Sequence, residues 1–281
     1  MRVEVARYAG VCYGVERALR LAEEAAEAGG RVRTLGPLIH NPQAVAALRE
    51  KGVEVAACLH EADDGTLVIR SHGVDPAIIE AAREKGLDVV DATCPFVSAA
   101  HQCARELAEQ GYSVVIVGEA EHPEVEGIMA HAPGEALIVQ AAEDLPDKLP
   151  SRKVGVVVQT TQSLSRLNEV VTALLPRVSE LRVCNTICSA TAKRQRAAEE
   201  LARDVDVMVV VGGHNSGNTN RLAEICRSVN DRVHHVETAD ELDPGWFAGA
   251  RVVGVTAGAS TPQEQVSGVV RAVESFGGGH G

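Results

Sequence analysis

The sequence predicts an α/β fold of three similar domains, each with a small, mainly parallel sheet, arranged with pseudo-threefold symmetry around a central cavity. Two observations lead to this prediction. Short runs of β-branched or apolar residues alternate with helix-period segments along the chain, as in parallel α/β sheets. The polar turns between them recur in sets of three with a period of about 90 residues, which is typical of a repeated unit.

Most predicted strands end in a polar turn from which a helix starts, and we call such a turn a joint. Nine joints follow one another along the chain: GVCYG, PLIHNP, SHGVDP, DATCP, GEAEHP, QTTQS, NTICSAT, GGHNSGNTN and AGASTP. Proline stands at or near the first helical position in five of them, where its missing N–H group costs no hydrogen bond: Pro42, Pro76, Pro95, Pro123 and Pro262. Asp75 and Thr261 directly precede two of these prolines and are predicted N-caps.

The joints form three sets with equal internal spacing. The first two joints of each set are 28 residues apart, measured from Cys12 to His40, from Cys94 to His122 and from Cys188 to Ser216. The third joints contain His72, Thr160 and Ser260. A further strand-like segment lies between the second and third joints of each set: VEVAACL, EALIVQA or RVHHVE. Each set therefore predicts a sheet of about four strands.

The predicted domains follow this repeat. They cover residues 14–94, 95–186 and 187–276, and we expect residues 1–13 to complete the third. Residues 277–281, with the sequence GGGHG, are a predicted flexible tail. If the three domains face one another, all nine joints converge on the central cavity, because ligands of parallel sheets bind beyond the carboxyl ends of the strands.

Composition excludes several classes of protein. The chain has 281 residues and a net charge of −12 without any basic run, which argues against nucleic acid or an anionic membrane as partner. No apolar run approaches the ~18 residues of a membrane span, and the first residues lack the features of a signal peptide. Seven cysteines, an odd number, fit a reducing compartment better than a disulfide framework. We therefore expect a cytoplasmic protein.

Three of the cysteines are predicted ligands of a metal or cluster. Cys12, Cys94 and Cys188 lie in polar turns at helix starts, where backbone dipoles favour the thiolate. Zinc remains open, although no C-x-x-C motif supports it. Three cysteines around a [4Fe–4S] cluster leave one iron open to substrate. Cys184 is a possible but disfavoured fourth ligand. It and the remaining cysteines are predicted small core residues: Cys58, Cys103 and Cys226.

The other joints resemble an anion site. His40, His72 and His122 offer donors, hydroxyls or an amide come from Thr160, Ser216, Asn218 and Ser260, and helix N-termini add backbone N–H groups. Glu124, two residues beyond His122, lies at the predicted cavity edge or simply complements a helix dipole. The six other histidines before the tail are interpreted as surface residues: His60, His101, His131, His214, His234 and His235.

These motifs resemble one known family. GVCYGVERAL, HNPQAV, SHGV, DATCP, HPEVEG, QTTQS, NSGNTNRL and GAST, in this order, are similar to the 4-hydroxy-3-methylbut-2-enyl diphosphate reductases over about residues 8–275. The resemblance implies three α/β domains around a [4Fe–4S] cluster, one per chain. It also implies a two-electron, two-proton removal of an allylic hydroxyl that gives isopentenyl and dimethylallyl diphosphates, the final step of the methylerythritol phosphate route.

Carried over motif by motif, the resemblance implies a role for each site residue. Cys12, Cys94 and Cys188 would bind the cluster, and Glu124 would donate the proton through Thr160. The substrate diphosphate would be held by the remaining residues: His40, His72, His122, Ser216, Gly217, Asn218 and Ser260. Two positions depart from the common pattern. Gly217 stands where a second serine is frequent and offers only its N–H group, and Tyr13 stands where a small residue is frequent.

The expected partner is an electron donor, and two alternative functions stay open. An external electron donor such as ferredoxin or flavodoxin is expected, with a monomeric enzyme and no nucleic acid or membrane. One alternative is another three-cysteine cluster enzyme, a quinolinate synthase-like dehydratase, which the phosphate-type joints NSGNT and GAST disfavour. The other is a non-enzymatic iron–sulfur redox sensor or electron carrier, which would need neither Glu124 nor the polar joints.

Overall fold

The computed structural model describes residues 1–134 and 136–277, within which the chain forms twelve β-strands and nine α-helices. All strand pairs are parallel. The strands form three separate four-stranded sheets, which confirms the predicted α/β class with three small parallel sheets. The predicted tail lies outside the described residues from position 278 onward, and Gly277 is the last residue of the final helix.

Sheet I contains the strands between the first and fourth joints. Its strands are β2 (Val32–Leu35), β3 (Val53–Ala56), β4 (Thr66–Ile69) and β5 (Asp88–Asp91). The helices in this region are α1 (Tyr13–Glu27), α2 (Pro42–Glu50) and α3 (Pro76–Glu84). The Asp75 carboxylate accepts the N–H of Ala77 at 2.9 Å, so the predicted cap of α3 is confirmed.

Sheet II contains the next four strands: β6 (Ser113–Val117), β7 (Leu137–Val139), β8 (Lys153–Val158) and β9 (Glu180–Cys184). Its helices are α4 (Pro95–Glu109), α5 (Pro123–Ala130) and α6 (Leu164–Leu174). Gly155 of β8 allows α4 to approach closely, because a Cβ atom there would lie 2.8 Å from the Leu107 side chain. The absence of a side chain at this position thus sets how α4 packs on the sheet.

Sheet III combines the first strand of the chain with the last three: β1 (Arg2–Val5), β10 (Val207–Val211), β11 (Val233–Val236) and β12 (Val252–Ala257). Its helices are α7 (Ser189–Asp204), α8 (Gly217–Arg227) and α9 (Gln263–Gly277). The prediction of Thr261 as an N-cap is wrong, because α9 begins at Gln263 and the Pro262 carbonyl accepts the N–H of Val266; the Thr261 hydroxyl donates to the Val211 carbonyl at 3.2 Å. Pro262 directly precedes α9, whereas the other four prolines are first residues of their helices.

The three sheets share one strand order. It is β3-β2-β4-β5 in sheet I, β7-β6-β8-β9 in sheet II and β11-β10-β12-β1 in sheet III. The edge strand at the end of each series is the one that leads into a cysteine joint. The two central strands of each sheet lead into the other two joints, so equivalent joints occupy equivalent positions.

The chain divides into two compact units. Unit 1 comprises Met1–Val15, His40–Ala44 and the chain from Ser189 onward, and it contains sheet III. Unit 2 comprises Glu16–Ile39 and Val45–Cys188, and it contains sheets I and II. The residue limits of the three proposed domains stay a prediction beside this division.

The core of each sheet is aliphatic. All five residues of β10 are buried, and the apolar cluster around it contains mainly valine. A fully buried parallel strand needs apolar side chains on both faces, which explains these continuous runs. Among the described residues, no helix combines the length and apolar character that crossing a lipid bilayer demands.

Candidate active site

The cysteine joints repeat one backbone arrangement in all three sheets. Each cysteine is half-buried and none is in a disulfide. In each case its N–H donates to a carbonyl at the end of the neighbouring strand: Cys12 to Ala259 (3.0 Å), Cys94 to Ser71 (2.9 Å) and Cys188 to Thr160 (3.0 Å). Each cysteine is therefore anchored to the third joint of its own sheet, and Cys94 is also the N-cap residue of α4.

In unit 2, His72 and His122 lie side by side. Their ring centroids are 5.5 Å apart in an edge-to-face arrangement. His122 caps α5, and its Nδ1 accepts the N–H of Glu124 at 3.1 Å. Because Nδ1 is an acceptor, the proton of the neutral ring is on Nε2. His122 can therefore donate from Nε2 to an anion.

In unit 2, Glu124 contacts Thr160 through both of its carboxylate oxygens. Its side chain is buried, with only 2% of the residue exposed. One carboxylate oxygen accepts the N–H of Thr160 at 2.6 Å, and the other accepts the Thr160 hydroxyl at 2.9 Å. The predicted pairing of these two residues is thus present in the structure.

Burial sets the acidity of Glu124. It raises the pKa of this carboxyl to about 7, against the two hydrogen bonds from Thr160, which lower it. A carboxyl group with this pKa is partly protonated at neutral pH, which is the condition for a general acid that works there.

In unit 1, the start of α8 carries several uncharged polar site residues. Ser216 caps α8, and its Oγ accepts the N–H of Thr219 at 3.3 Å. Gly217 is the first residue of the helix and Asn218 the second, so their N–H groups belong to the first turn, which lacks intrahelical acceptors. Ser216 and Asn218 are both buried. This helix start therefore presents donors without any charge.

The third joint of sheet III is connected to His40. The Ser260 hydroxyl donates to the His40 carbonyl at 3.1 Å, and both residues belong to unit 1. A side chain at Gly213 would bring its Cβ to 3.2 Å from the same carbonyl. The His40 carbonyl is thus hydrogen-bonded by one joint of this unit and closely approached by the backbone of another.

Arg70 and Tyr13 flank predicted site residues. Arg70, two residues before His72, lies 3.7 Å from the Glu126 carboxylate, and burial lowers the pKa of its guanidinium. Tyr13 is the first residue of α1 and is 64% exposed. Its ring is directed largely to solvent in this structure.

His101 is a residue that the sequence analysis missed. It was interpreted as a surface residue but is only 5% exposed, and burial lowers its pKa to about 3. A Cβ at Gly73 would lie 2.4 Å from its ring, and one at Gly127 would lie 2.9 Å from it. His101 thus supports, in neutral form, the backbone beside His72 and within α5. Its signal was its place on the apolar face of α4, with Val97, Ala104 and Leu107.

Two expectations about the remaining cysteines were wrong. Cys103 and Cys184, predicted to be separate core residues, form a disulfide across 81 residues of sequence. An odd total of cysteines does not exclude one pair, and α4 brings Cys103 to the end of β9. Cys58 is exposed and lies after β3 rather than in a strand. Cys226 is buried, as predicted.

Comparisons with known proteins cover nearly the whole chain. Residues 3–274 match the model of a family described as LytB protein. A 4-hydroxy-3-methylbut-2-enyl diphosphate reductase from Pelobacter propionicus is 53% identical over 264 residues, covering 94% of each chain.

Two solved structures are similar. One is (E)-4-hydroxy-3-methyl-but-2-enyl diphosphate reductase, the terminal enzyme of the non-mevalonate pathway. It is 45% identical with a TM-score of 0.72 and covers 98% of this chain and 100% of its own. The other is the E-1-hydroxy-2-methyl-but-2-enyl-4-diphosphate reductase from Plasmodium falciparum. It is 26% identical with a TM-score of 0.92, and the match covers 96% of this chain and 87% of its own.

Proposed function

Since this chain belongs to the LytB family of 4-hydroxy-3-methylbut-2-enyl diphosphate reductases, we propose that it removes the hydroxyl group of (E)-4-hydroxy-3-methylbut-2-enyl diphosphate. Two electrons and two protons are consumed, and the products are water with isopentenyl or dimethylallyl diphosphate. Neither the quinolinate synthase-like dehydratase nor the redox sensor considered from the sequence finds support in the relatives.

The cysteine joints fit the iron–sulfur cluster that the family implies. Thiolates are the usual ligands of iron–sulfur clusters, and Cys12, Cys94 and Cys188 are half-buried and outside any disulfide. Cys184 is in a disulfide, which argues against a fourth ligand. We assign one [4Fe–4S] cluster per chain to the three cysteines. When bound, it would relay electrons one at a time from an external donor and would supply Lewis acidity at an iron without a protein ligand.

The histidines and the uncharged joints bind the diphosphate in this proposal. His40, His72 and His122 act as donors, and the Nε2–H of His122 suits an anion because Nδ1 is already an acceptor. Ser216, Asn218 and Ser260 contribute hydroxyl and amide groups, and Gly217 contributes its N–H. Several donors together offset the cost of desolvating about three negative charges.

Glu124 and Thr160 transfer the first proton, and their contact is the observation that carries the proposal. A buried carboxyl with a pKa of about 7 holds a proton near neutral pH and can release it to the leaving hydroxyl group, which departs as water. The Thr160 hydroxyl, 2.9 Å from the carboxylate, orients the acid and contacts the substrate hydroxyl. The second proton reaches the allylic carbon from the diphosphate that the histidines hold.

The proposed enzyme also needs an electron donor and a reducing compartment. A small iron–sulfur or flavin protein of the ferredoxin or flavodoxin type supplies electrons, and the enzyme acts as a monomer. Three cysteines that must stay reduced before they bind iron favour a cytoplasmic location.

Substitution of Glu124→Gln tests the proposal. The amide keeps the shape of the carboxyl but cannot donate an acidic proton, so turnover should fall by ~10²–10⁴-fold, while iron content and substrate binding are retained. Turnover is measured anaerobically with a chemically reduced viologen as electron source and product analysis.

Glu126→Gln is the matched control. It removes a carboxylate on the same helix whose side chain is largely exposed, and it should stay close to the parent in turnover. Activity of Glu124→Gln within a few-fold of the parent would show that this carboxyl is not the acid.

A further inference from the structure

The Cys103–Cys184 disulfide joins two segments that each carry a proposed cluster ligand. Cys103 lies in α4, whose N-cap residue is Cys94. Cys184 is the last residue of β9, four residues before Cys188. The Cα atoms of the pair are 6.6 Å apart, within the range that a disulfide spans. One covalent bond thus links the helix capped by Cys94 to the strand that leads to Cys188.

The surroundings of the pair suit both the oxidised and the reduced state. Both cysteines are half-buried and pack at the edge of an apolar cluster that contains Ala104, Leu107 and Val157. A reduced cysteine in such a place behaves as a small apolar residue. Opening the bond therefore leaves the packing of α4 on sheet II in place.

The end of β9 at Cys184 is held both by its pairing with β8, where Cys184 lies opposite Val157, and by the disulfide. The start of β9 is held by polar contacts that do not involve sulfur, namely Tyr112 with Glu180 and Arg182 with Gln110. Beyond the disulfide, the segment 185–188 is still held by Thr186, which accepts the N–H of Val158 at 3.1 Å. The Cys188 N–H also donates to the Thr160 carbonyl at 3.0 Å, so the disulfide is one of several restraints on the chain next to Cys188.

We propose that Cys103 and Cys184 form a reversible thiol–disulfide pair, separate from the cluster ligands, whose closed state strengthens iron retention. The inference about iron rests on the proposed function. Closure breaks two S–H bonds and forms one S–S bond. Two electrons and two protons pass to a low-molecular-weight disulfide, which becomes two thiols. Disulfides of proteins in reducing compartments are typically transient or redox-sensing, and this pair fits that pattern.

The state of the pair can be measured without any activity assay. Holoenzyme is equilibrated anaerobically in mixtures of reduced and oxidised dithiothreitol, quenched in acid, alkylated at low pH in denaturant and mapped by mass spectrometry. Cys103 and Cys184 should appear as a linked peptide pair in oxidising mixtures and as two alkylated thiols in reducing ones. Cys58 and Cys226 should be alkylated throughout. Alkylation of Cys103 and Cys184 in every mixture would overturn the proposal.

The effect on iron is tested by release to a chelator. Reduced parent holoenzyme should lose iron severalfold faster than oxidised parent. Cys184→Ala should release iron at the faster rate and no longer respond to dithiothreitol, whereas Cys58→Ala should respond as the parent does. Equal rates for the two states of the parent would refute the link to iron retention. If Cys103 and Cys184 form a reversible pair but the protein has no reductase activity, only the proposed function is contradicted.

Discussion

The joints that start α5 and α8 occupy the same place in two sheets but differ in chemistry. We call residues 118–124 the α5 joint and residues 212–218 the α8 joint. Each follows a central strand, and in each a capping side chain accepts a backbone N–H, at 3.1 Å for His122 and 3.3 Å for Ser216. The first cap is a titratable ring followed by a buried carboxyl, and the second is a hydroxyl followed by an amide.

The difference shows how one fold position can serve two purposes. At the α5 joint, Glu124 contacts Thr160 and its burial raises the pKa to about 7. At the α8 joint, Asn218 is also buried but has no charge to desolvate. Proton transfer and the pH dependence of the reaction should therefore come from the α5 joint, and the α8 joint should contribute uncharged hydrogen bonds.

The largest expected effect concerns the three cysteine joints, which have the same backbone arrangement in all three sheets. Replacing Cys12, Cys94 or Cys188 by Ser should abolish the cluster and the activity in each case, because a soft thiolate ligand is lost. Iron, sulfide and visible absorption after anaerobic reconstitution check this. Cys58→Ser and Cys226→Ser are the controls and should keep their iron, and full cluster content in any of the first three variants would contradict the assignment.

The next effect concerns the histidines proposed to bind the diphosphate. His122→Ala should weaken substrate binding by roughly 1.5–3 kcal/mol, or about 10- to 150-fold, because a charge-assisted hydrogen bond to the diphosphate is lost. His40→Ala and His72→Ala should act in the same direction. Calorimetric titration of oxidised holoenzyme with substrate measures the change.

Iron analysis of the same histidine variants provides the counter-test. Their cluster should survive, since no ligand to iron has been removed. Normal binding of the diphosphate together with loss of iron would identify these histidines as metal ligands, and the division of the joints into cluster and anion sites would then be wrong.

The pH profile tests the α5 joint alone. Glu124 must be protonated to donate, so kcat/KM of the parent should fall as pH rises above about 7, approaching tenfold per pH unit. Glu124→Gln should lose this dependence on the acid, whereas Ser216→Ala should retain it. If kcat/KM of Glu124→Gln still falls with rising pH as that of the parent does, the titrating group is not Glu124.

The smallest effect is expected at the α8 joint. Ser216→Ala removes one hydroxyl donor but leaves the N–H groups of Gly217 and Asn218 at the same helix start, so it should weaken substrate binding by only ~0.5–1.5 kcal/mol, or about two- to tenfold. The affinity measurement used for the histidines checks this. A loss as large as that of His122→Ala would show that the two joints share the diphosphate charge equally.

Sequence patterns predicted the features that depend on neighbouring residues. The four-stranded parallel sheets followed from apolar runs, and the starts of α2, α3, α4 and α5 followed from proline. The pairing of Glu124 with Thr160 came from family motifs, and the structure added its burial and its raised pKa. The predicted domain limits and the roles of the site residues stay predictions.

Features that depend on distant packing were not predictable in the same way. The contact between Cys103 and Cys184 spans 81 residues and depends on how closely α4 approaches sheet II, which Gly155 permits. His101 was misplaced because a histidine is usually assigned to the surface, although its position on the apolar face of α4 indicated burial. Cys58 was misplaced because the predicted strand ended too late.

The pairing of β1 with β12 has a consequence for biosynthesis. Arg2 pairs with Val252, so β1 cannot join its sheet until the ribosome has translated the chain beyond Val252. At typical rates of ~5–20 residues per second, this delay is on the order of 10–50 s. Sheets I and II have complete sets of strands well before then. Cys12 is therefore the first of the three proposed ligands to be made and the last to be positioned, because its N–H group donates to the carbonyl of Ala259.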